Sequence, residues 1–224
     1  MITIYHLGLS QSDRVVWLME ELGLPYKMEV FVRHESGYAP QELFDIHPLG
    51  RAPVIRDGDK VLAESSAIVE YICTRLAKGQ LWVSPDADNY ADFLFWYHFG
   101  PSSLSNMASF KMIAHRHNYE NLDHIVRHWL RQMDLSFEIM DKRLGEVPFL
   151  AGEEFTAAEI MIMYPITTWA RYNGTDLSGH KNISDYIRRV EARPAYQRAM
   201  DIAGPDRGAG IPPVYTMDDP DGAS

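Results

Sequence analysis

Residues 47 to 68, HPLGRAPVIRDGDKVLAESSAI, hold the side chains and turns best suited to grip a small charged molecule. Pro48 and Pro53 each restrict the residue before them to extended geometry. Pro53 to Arg56 is a short apolar run, Asp57-Gly58-Asp59 is a hairpin signal, and Lys60 to Ala63 is the returning strand. Glu64-Ser65-Ser66 then opens an apolar helix. Where a helix opens beside such a strand, its unpaired first-turn amides and its dipole favour a bound anion. Other reactive side chains read as structural. His124 and His128 stand at i, i+4, a spacing two metal ligands can use, but there is no H-E-x-x-H and no evident third ligand, so no metal is expected. His115 and His117 read as surface, and the loop residues His34 and His47 as solvated rings within reach of a polar contact. Cys73, between Ile72 and Leu76 on a helix face, reads as packing.

The run Pro48-Leu49-Gly50-Arg51-Ala52-Pro53-Val54, followed by Glu64-Ser65, resembles the glutathione transferase family. In that family a PLG-[KR]-x-P-V loop carries a cis-proline and a Glu-Ser pair opens the next helix. The resemblance is to serine-type cytosolic members of theta, delta, bacterial or fungal kind, and it covers roughly residues 3 to 203. It implies a glutathione S-transferase with glutathione as co-substrate and no metal. Such an enzyme must make a thiol nucleophilic at neutral pH. A free thiol with a pKa of ~8.5 is only ~3% ionised at pH 7, and lowering that pKa by about two units raises the thiolate about 25-fold. That shift is ~2.7 kcal/mol, within reach of one charge-assisted hydrogen bond and a helix N-terminus.

Three hydroxyls near the first helix are candidate donors: Tyr5, Ser10 and Ser12. Ser10 lies four residues before Arg14, the spacing of the active serine in the serine-type members, and is the expected catalytic residue. Ser12 is better placed as the helix cap, its hydroxyl spent on a backbone amide. In a competing reading Ser10 is the cap, with Asp13 completing a partial capping box. Tyr5 sits within a strand, where an aromatic residue usually packs. No cysteine occupies the loop, which argues against mixed-disulfide chemistry. For the tripeptide, the resemblance implies that Glu64 accepts from the γ-glutamyl amine, and that Ser65 and its amide hold the γ-glutamyl carboxylate. It also implies that Ala52, before cis-Pro53, pairs with the cysteinyl unit, and that Arg51 reaches the glycyl carboxylate. His47 is a secondary candidate. Some members carry Arg after the serine; here Ser66 stands there, without that cation.

The elements that must position these groups follow from periodicity. Residues 2 to 7 alternate as a strand, and Ser12 to Leu22 places Val15, Leu18, Met19 and Leu22 on one helical face. Gly23 and Pro25 stop that helix. Tyr26 to Arg33 reads as a half-buried strand, Gln41 to Ile46 as one or two helical turns, and Ser65 to about Ala77 as a helix. The order is β-α-β-α-β-β-α. Gly79 to Asp88, with Gly, Ser, Pro and Asp, reads as a linker. Beyond it the chain is helical, from Asp88 to about His117 with a kink at Gly100-Pro101. Asn121 to Leu144 follows, then Ala157 to Arg171 behind a Thr156–Glu159 capping box stapled by Phe155 and Ile160. Shorter helices span Ile183 to Arg193 and Pro194 to Ala203. The aromatic and Met residues from Phe93 to Phe110 suit either the core or a pocket for an apolar co-substrate. The resulting division is 1–79 thioredoxin-like and glutathione-binding, 80–88 linker, 89–204 all-helical, and 205–224 a tail.

Composition narrows the function from outside. Lys and Arg number 21 against 31 Asp and Glu, a net charge of −10, which argues against nucleic acid as a partner. At 46% hydrophobic residues the chain can bury a sizeable core. No apolar run reaches the ~20 residues a membrane helix needs, and the single cysteine excludes an internal disulfide. A cytoplasmic homodimer acting on glutathione and an apolar electrophile, with peroxide reduction as a variant, is the expectation the resemblance carries. The rival is a scaffold or binding protein that keeps the fold without catalysis.

Overall fold

Strand β1 (Ile2–Leu7) is apolar on both faces and buried along almost its whole length, so it can only be an inner strand. In the computed structural model, which describes residues 1–34, 37–116 and 124–204, it lies between two neighbours. β2 (Tyr26–Phe31) pairs with it in parallel and β3 (Val54–Asp57) antiparallel. β4 (Lys60–Ala63) returns antiparallel to β3, giving the order β2-β1-β3-β4. The hairpin closes at the Asp57↔Lys60 pair, with Gly58 at φ 59° in the two-residue turn. A parallel β1–β2 pair needs a crossover, supplied by α1 (Asp13–Leu22). Its Val15, Val16, Trp17, Leu18 and Met19 are buried, and Gly23 ends it in the left-handed region at φ 61°. α2 (Gln41–Ile46) brings Leu43 into a core with Tyr5, Leu7 and Val54. α3 (Ser65–Tyr71) follows β4. This is the thioredoxin-like order that the resemblance implies.

Some boundaries differ from the sequence reading. β2 ends at Phe31 rather than Arg33, because the Arg33 guanidinium turns to the carbonyls of Gly8, Leu9 and Gly37 at 3.1, 2.9 and 3.0 Å. The helix expected to run to Ala77 is α-helical only to Tyr71 and continues as a π-helical turn, Ile72–Leu76. Within it Cys73 is fully buried, and burial pushes its thiol up to about 12.

The described chain divides into two compact units, Met1–Val69 with residues 197–204, and Glu70–Tyr196. The second is helical. α4 (Tyr90–Phe99) is followed by a π-helical turn at Gly100–Leu104, the form the expected kink takes, and then by α5 (Ser105–Arg116). α6 (His124–Leu144) is the long helix; its expected start at 121, together with His117 and the tail 205–224, lies outside the described residues. α7 (Ala157–Ile166) is buried at all ten positions. Its capping box forms as expected. Thr156 Oγ1 accepts from Ala158 N at 3.2 Å, and Thr156 N donates to Glu159 Oε2 at 2.8 Å. The helix does not reach Arg171. Pro165 removes a hydrogen bond donor from its interior, and the chain breaks at Thr167 (φ −116°, ψ −87°) before α8 (Thr168–Tyr172). α9 (Lys181–Glu191) and α10 (Pro194–Ala203) complete the described chain. Of the aromatic run, Phe93, Trp96 and Tyr97 are core, with Trp82 edge-on to both Phe93 and Tyr97 at 4.9 Å. Phe95 is exposed and stacked on Phe99 at 5.3 Å.

Candidate functional site

The loop between β1 and α1 is compressed into five residues, and it is built from hydroxyls and carbonyls rather than charge. Leu9 stands at φ 53°, and Arg33 clamps the Gly8 and Leu9 carbonyls from the far side. Ser10, 8% exposed, lies 2.6 Å from the Leu7 carbonyl oxygen and 2.8 Å from Ser12 Oγ. Its oxygen also accepts from Ser12 N at 3.2 Å. Ser10 is therefore a buried hydroxyl whose proton has two nearby acceptors.

Ser12 does not cap α1 with its side chain, contrary to the sequence reading. It occupies the N-cap position in helical geometry (φ −68°, ψ −20°), and its fully buried hydroxyl turns back toward β1. There it lies 2.8 Å from His6 Nδ1 and accepts from Leu7 N at 3.2 Å. His6 was not among the expected site residues. The sign of it was a polar ring on the same face of β1 as Ile2 and Ile4, where a buried group needs a partner. Burial lowers its pKa, partly offset by the Ala203 carbonyl, which lies 3.0 Å from Nε2. The competing capping box is also absent. Asp13 is 3% exposed, and neither carboxylate oxygen has a hydrogen bond partner among the described residues. Burial pushes its pKa up to about 7 against the opposing charges of Arg14 and Arg33. Tyr5 belongs to the core: its ring is 6.2 Å from Phe31 and its hydroxyl accepts from Arg56 Nε at 2.9 Å.

At the second corner, the Ala52–Pro53 peptide is cis, with Pro53 buried, Ala52 half-buried and Arg51 exposed. Glu64 is exposed and held at φ 71°, between β4 and α3. Ser65 is 4% exposed. Its hydroxyl accepts from Arg14 Nη1 at 2.9 Å and donates to Gln11 Oε1 at 3.1 Å, and Arg14 also donates to Gln11. A cation thus reaches Ser65 from α1, in the place where residue 66 offers none. Gln11 and Arg14 were missed as site residues; an arginine directly before the apolar turn Val15–Leu18 was the available signal. His47 ends α2, and its Nδ1 accepts from Leu49 N at 3.3 Å. No group of three His, Cys, Asp or Glu residues arranged to hold a metal occurs among the described residues. His124 and His128 are both exposed.

The arrangement offers a hydroxyl for a developing anion at Ser10, and a hydroxyl–guanidinium–amide corner at Ser65, Arg14 and Gln11. Ser10, Gln11 and Arg14 come from the loop before α1 and its first turn, and Ser65 from the start of α3. Comparisons with known proteins point the same way. Residues 10–75 match the family described as glutathione S-transferase, N-terminal domain, and residues 104–194 match glutathione S-transferase, C-terminal domain. The crystal structure of a glutathione S-transferase from Actinobacillus pleuropneumoniae superposes with a TM-score of 0.82 at 31% identity, over 91% of this chain and 93% of that one. Glutathione S-transferase 3 of Schizosaccharomyces pombe is 29% identical over 216 residues, 90% of this chain and 87% of the relative. A glutathione transferase homologue from Sulfitobacter, solved with bound glutathione, shares the fold at 21% identity and a TM-score of 0.73, over 90% of this chain and 98% of that one.

Proposed function

The chain belongs to the glutathione S-transferase family, and from that premise we propose that it conjugates glutathione through a thiolate held by Ser10. It is a transferase, joining the tripeptide sulfur to an electrophile. The electrophile is proposed to be partly apolar, and the same thiolate would also reduce peroxides. In this reading Ser10 turns its hydroxyl from the Leu7 carbonyl to the sulfur. Ser65, backed by Arg14, holds the γ-glutamyl carboxylate, while Glu64 takes the γ-glutamyl amine. Ala52 at the cis peptide pairs with the cysteinyl backbone, and Arg51 reaches the glycyl carboxylate. We keep residues 1–79 as the glutathione-binding domain, 80–88 as linker and 89–204 as the helical domain. A cytoplasmic homodimer completes the proposal. Among the described residues no helix is long and apolar enough to cross a membrane, which agrees with that location.

The observation that carries this reading is the sharing of one helix start by two sites. Ser10 lies two residues before the N-cap of α1, and Arg14, in its first turn, bonds Ser65. A ligand with a thiol at one end and a carboxylate at the other meets both. Retention on immobilised glutathione, followed by a chromogenic conjugation assay, tests it. Retained protein with no turnover, indifferent to Ser10→Ala, would leave a binding protein in place of the enzyme.

A further inference from the structure

One file of hydrogen-bonding groups runs from the end of α10 to the loop before α1: the Ala203 carbonyl, His6, Ser12 and Ser10. The carbonyl can only accept, so His6 Nε2, 3.0 Å away, carries a hydrogen. Burial lowers the ring's pKa, so at rest the ring is neutral and Nδ1 is an acceptor. Ser12 Oγ, 2.8 Å from Nδ1, therefore spends its one proton there. Its oxygen accepts from Leu7 N at 3.2 Å and lies 2.8 Å from Ser10 Oγ. Ser10 in turn gives its one proton to the Leu7 carbonyl, 2.6 Å away.

At rest two hydroxyl protons thus serve two acceptors, Nδ1 and the Leu7 carbonyl. A thiolate beside Ser10 adds a third acceptor without a proton, and in a buried cluster an unserved acceptor is costly. The count closes if the thiol's own proton stays in the site. We propose that His6 stores the proton of the glutathione thiol, passed to it through Ser10 and Ser12. This rests on the reading of Ser10 given above. The S–H bond breaks and its hydrogen joins Ser10 Oγ, while Ser10's hydrogen passes to Ser12 Oγ and Ser12's to His6 Nδ1. Sulfur keeps the electron pair, the ring becomes imidazolium, and both serines end as neutral hydroxyls. Nδ1–H then donates to Ser12, and Ser12 can turn its proton to the Leu7 carbonyl, 3.1 Å away. Ser10 is left free to donate to sulfur. His6 acts only through the serines and is a positioning residue, fixed by Ala203.

Among the described residues, the ionisable groups beside the loop that follows β1 include Asp13 and Arg14, directly after Ser12, and Arg33, bonded to the Gly8 and Leu9 carbonyls. Glu20 of α1 and Arg198 of α10 pair with each other at 2.9 Å, and Arg56 of β3 is engaged by Tyr5 on the opposite face of β1. Asp13, with its own pKa near neutrality, is the one whose proton uptake must be subtracted.

The test is a titration of the full-length protein with glutathione near neutral pH. Thiolate is read from its ultraviolet absorption, and proton release from calorimetry in buffers of different ionisation heat. S-methylglutathione, which has no thiol proton, is titrated alongside to subtract uptake at Asp13 and elsewhere. The expected result is thiolate formed with well under half a proton released for each; release of one proton per thiolate overturns the proposal. Absence of thiolate removes the Ser10 reading itself, and this inference with it. In His6→Gln the amide can still donate to Ala203 but cannot take a proton. Release there should rise to one proton per thiolate, and release that stays low in this variant also overturns the proposal.

Discussion

Arg14 and Ser65, separated by 51 positions in the chain, meet at 2.9 Å with the guanidinium donating to the hydroxyl. Arg14 is 1% exposed, so this is a buried cation rather than a surface ornament. Its guanidinium donates to neutral acceptors at Ser65 and Gln11, and the neighbouring Asp13 carboxyl, itself pushed toward neutrality by burial, offsets the charge only in part. An anion arriving at Ser65 would find a cation already desolvated and oriented, which is the costly part of binding one.

This division of labour separates two variants kinetically. Ser10→Ala removes the donor proposed for the thiolate, so kcat should fall roughly 10- to 150-fold, the equivalent of a charge-assisted bond of ~1.5–3 kcal/mol, with KM for glutathione little changed. Ser65→Ala should raise KM for glutathione and leave kcat nearer its starting value. Steady-state kinetics with glutathione varied at fixed electrophile decides it. The opposite pattern, KM moving with Ser10 and kcat with Ser65, would exchange the two roles.

Much of the site could be read from linear sequence because its geometry is local. The turn at Gly58 and the start of α3 at Ser65 each follow from residues adjacent in the chain, whereas the cis bond at Ala52–Pro53 was implied by the family resemblance. His6 and Arg14 were harder. Their partners, Ala203 and Ser65, lie 197 and 51 residues away, and the local signs of a buried ring or guanidinium do not say where those partners are. Ser12 misled for a related reason. A serine before a helix usually caps it, but here His6 offers the hydroxyl a second acceptor behind the strand. The change to a π-helical turn after Tyr71 was likewise hidden, since apolar periodicity continues through it, whereas the break after Ile166 had a local sign in Pro165.

Asp13 should make stability fall as pH rises. Its folded pKa of about 7 lies above the ~3.9 of an unfolded aspartate, so between those values the folded chain binds the extra proton. Stability from this group is full below pH ~4 and declines through pH ~7, by as much as ~4 kcal/mol at ~1.36 kcal/mol per unit. Asp13→Asn should therefore be more stable than the parent above pH 7 and nearly equal to it at pH 4. Urea midpoints at the two pH values check this; a variant weaker than the parent at high pH would mean the carboxylate is stabilising.

Glu159 is the keystone of α7's start. Fully buried, with its pKa raised by desolvation, it accepts from Leu150 N at 2.9 Å and from Thr156 N and Oγ1, both at 2.8 Å. Thr156→Ala should cost about 1–2 kcal/mol, the worth of a cap. Glu159→Ala strands two backbone donors in the interior at about 1–3 kcal/mol each and should cost more than Thr156→Ala. Chemical denaturation of both variants gives the order, and equal losses would show that the carboxylate serves Thr156 alone.

Gly100 should resist replacement although its backbone angles suit any residue. It lies at φ −56°, where alanine in an open helix would gain up to ~1 kcal/mol. Packing reverses that sign. A Cβ at this position would stand 2.6 Å from the Met161 carbonyl oxygen and 2.9 Å from its carbon, backbone atoms of the fully buried α7 that have no rotamer to yield with. Overpacking of this sort costs about 1–3 kcal/mol, which for a chain of this length lowers Tm by roughly 2–4 °C per kcal/mol. Gly179→Ala is the comparison: nothing lies within 4 Å of its added Cβ, and the change should stay within about 0.5 kcal/mol. Thermal melts of the two variants side by side decide it. A Gly100→Ala protein as stable as Gly179→Ala would mean that α7 gives way to α4 at this crossing.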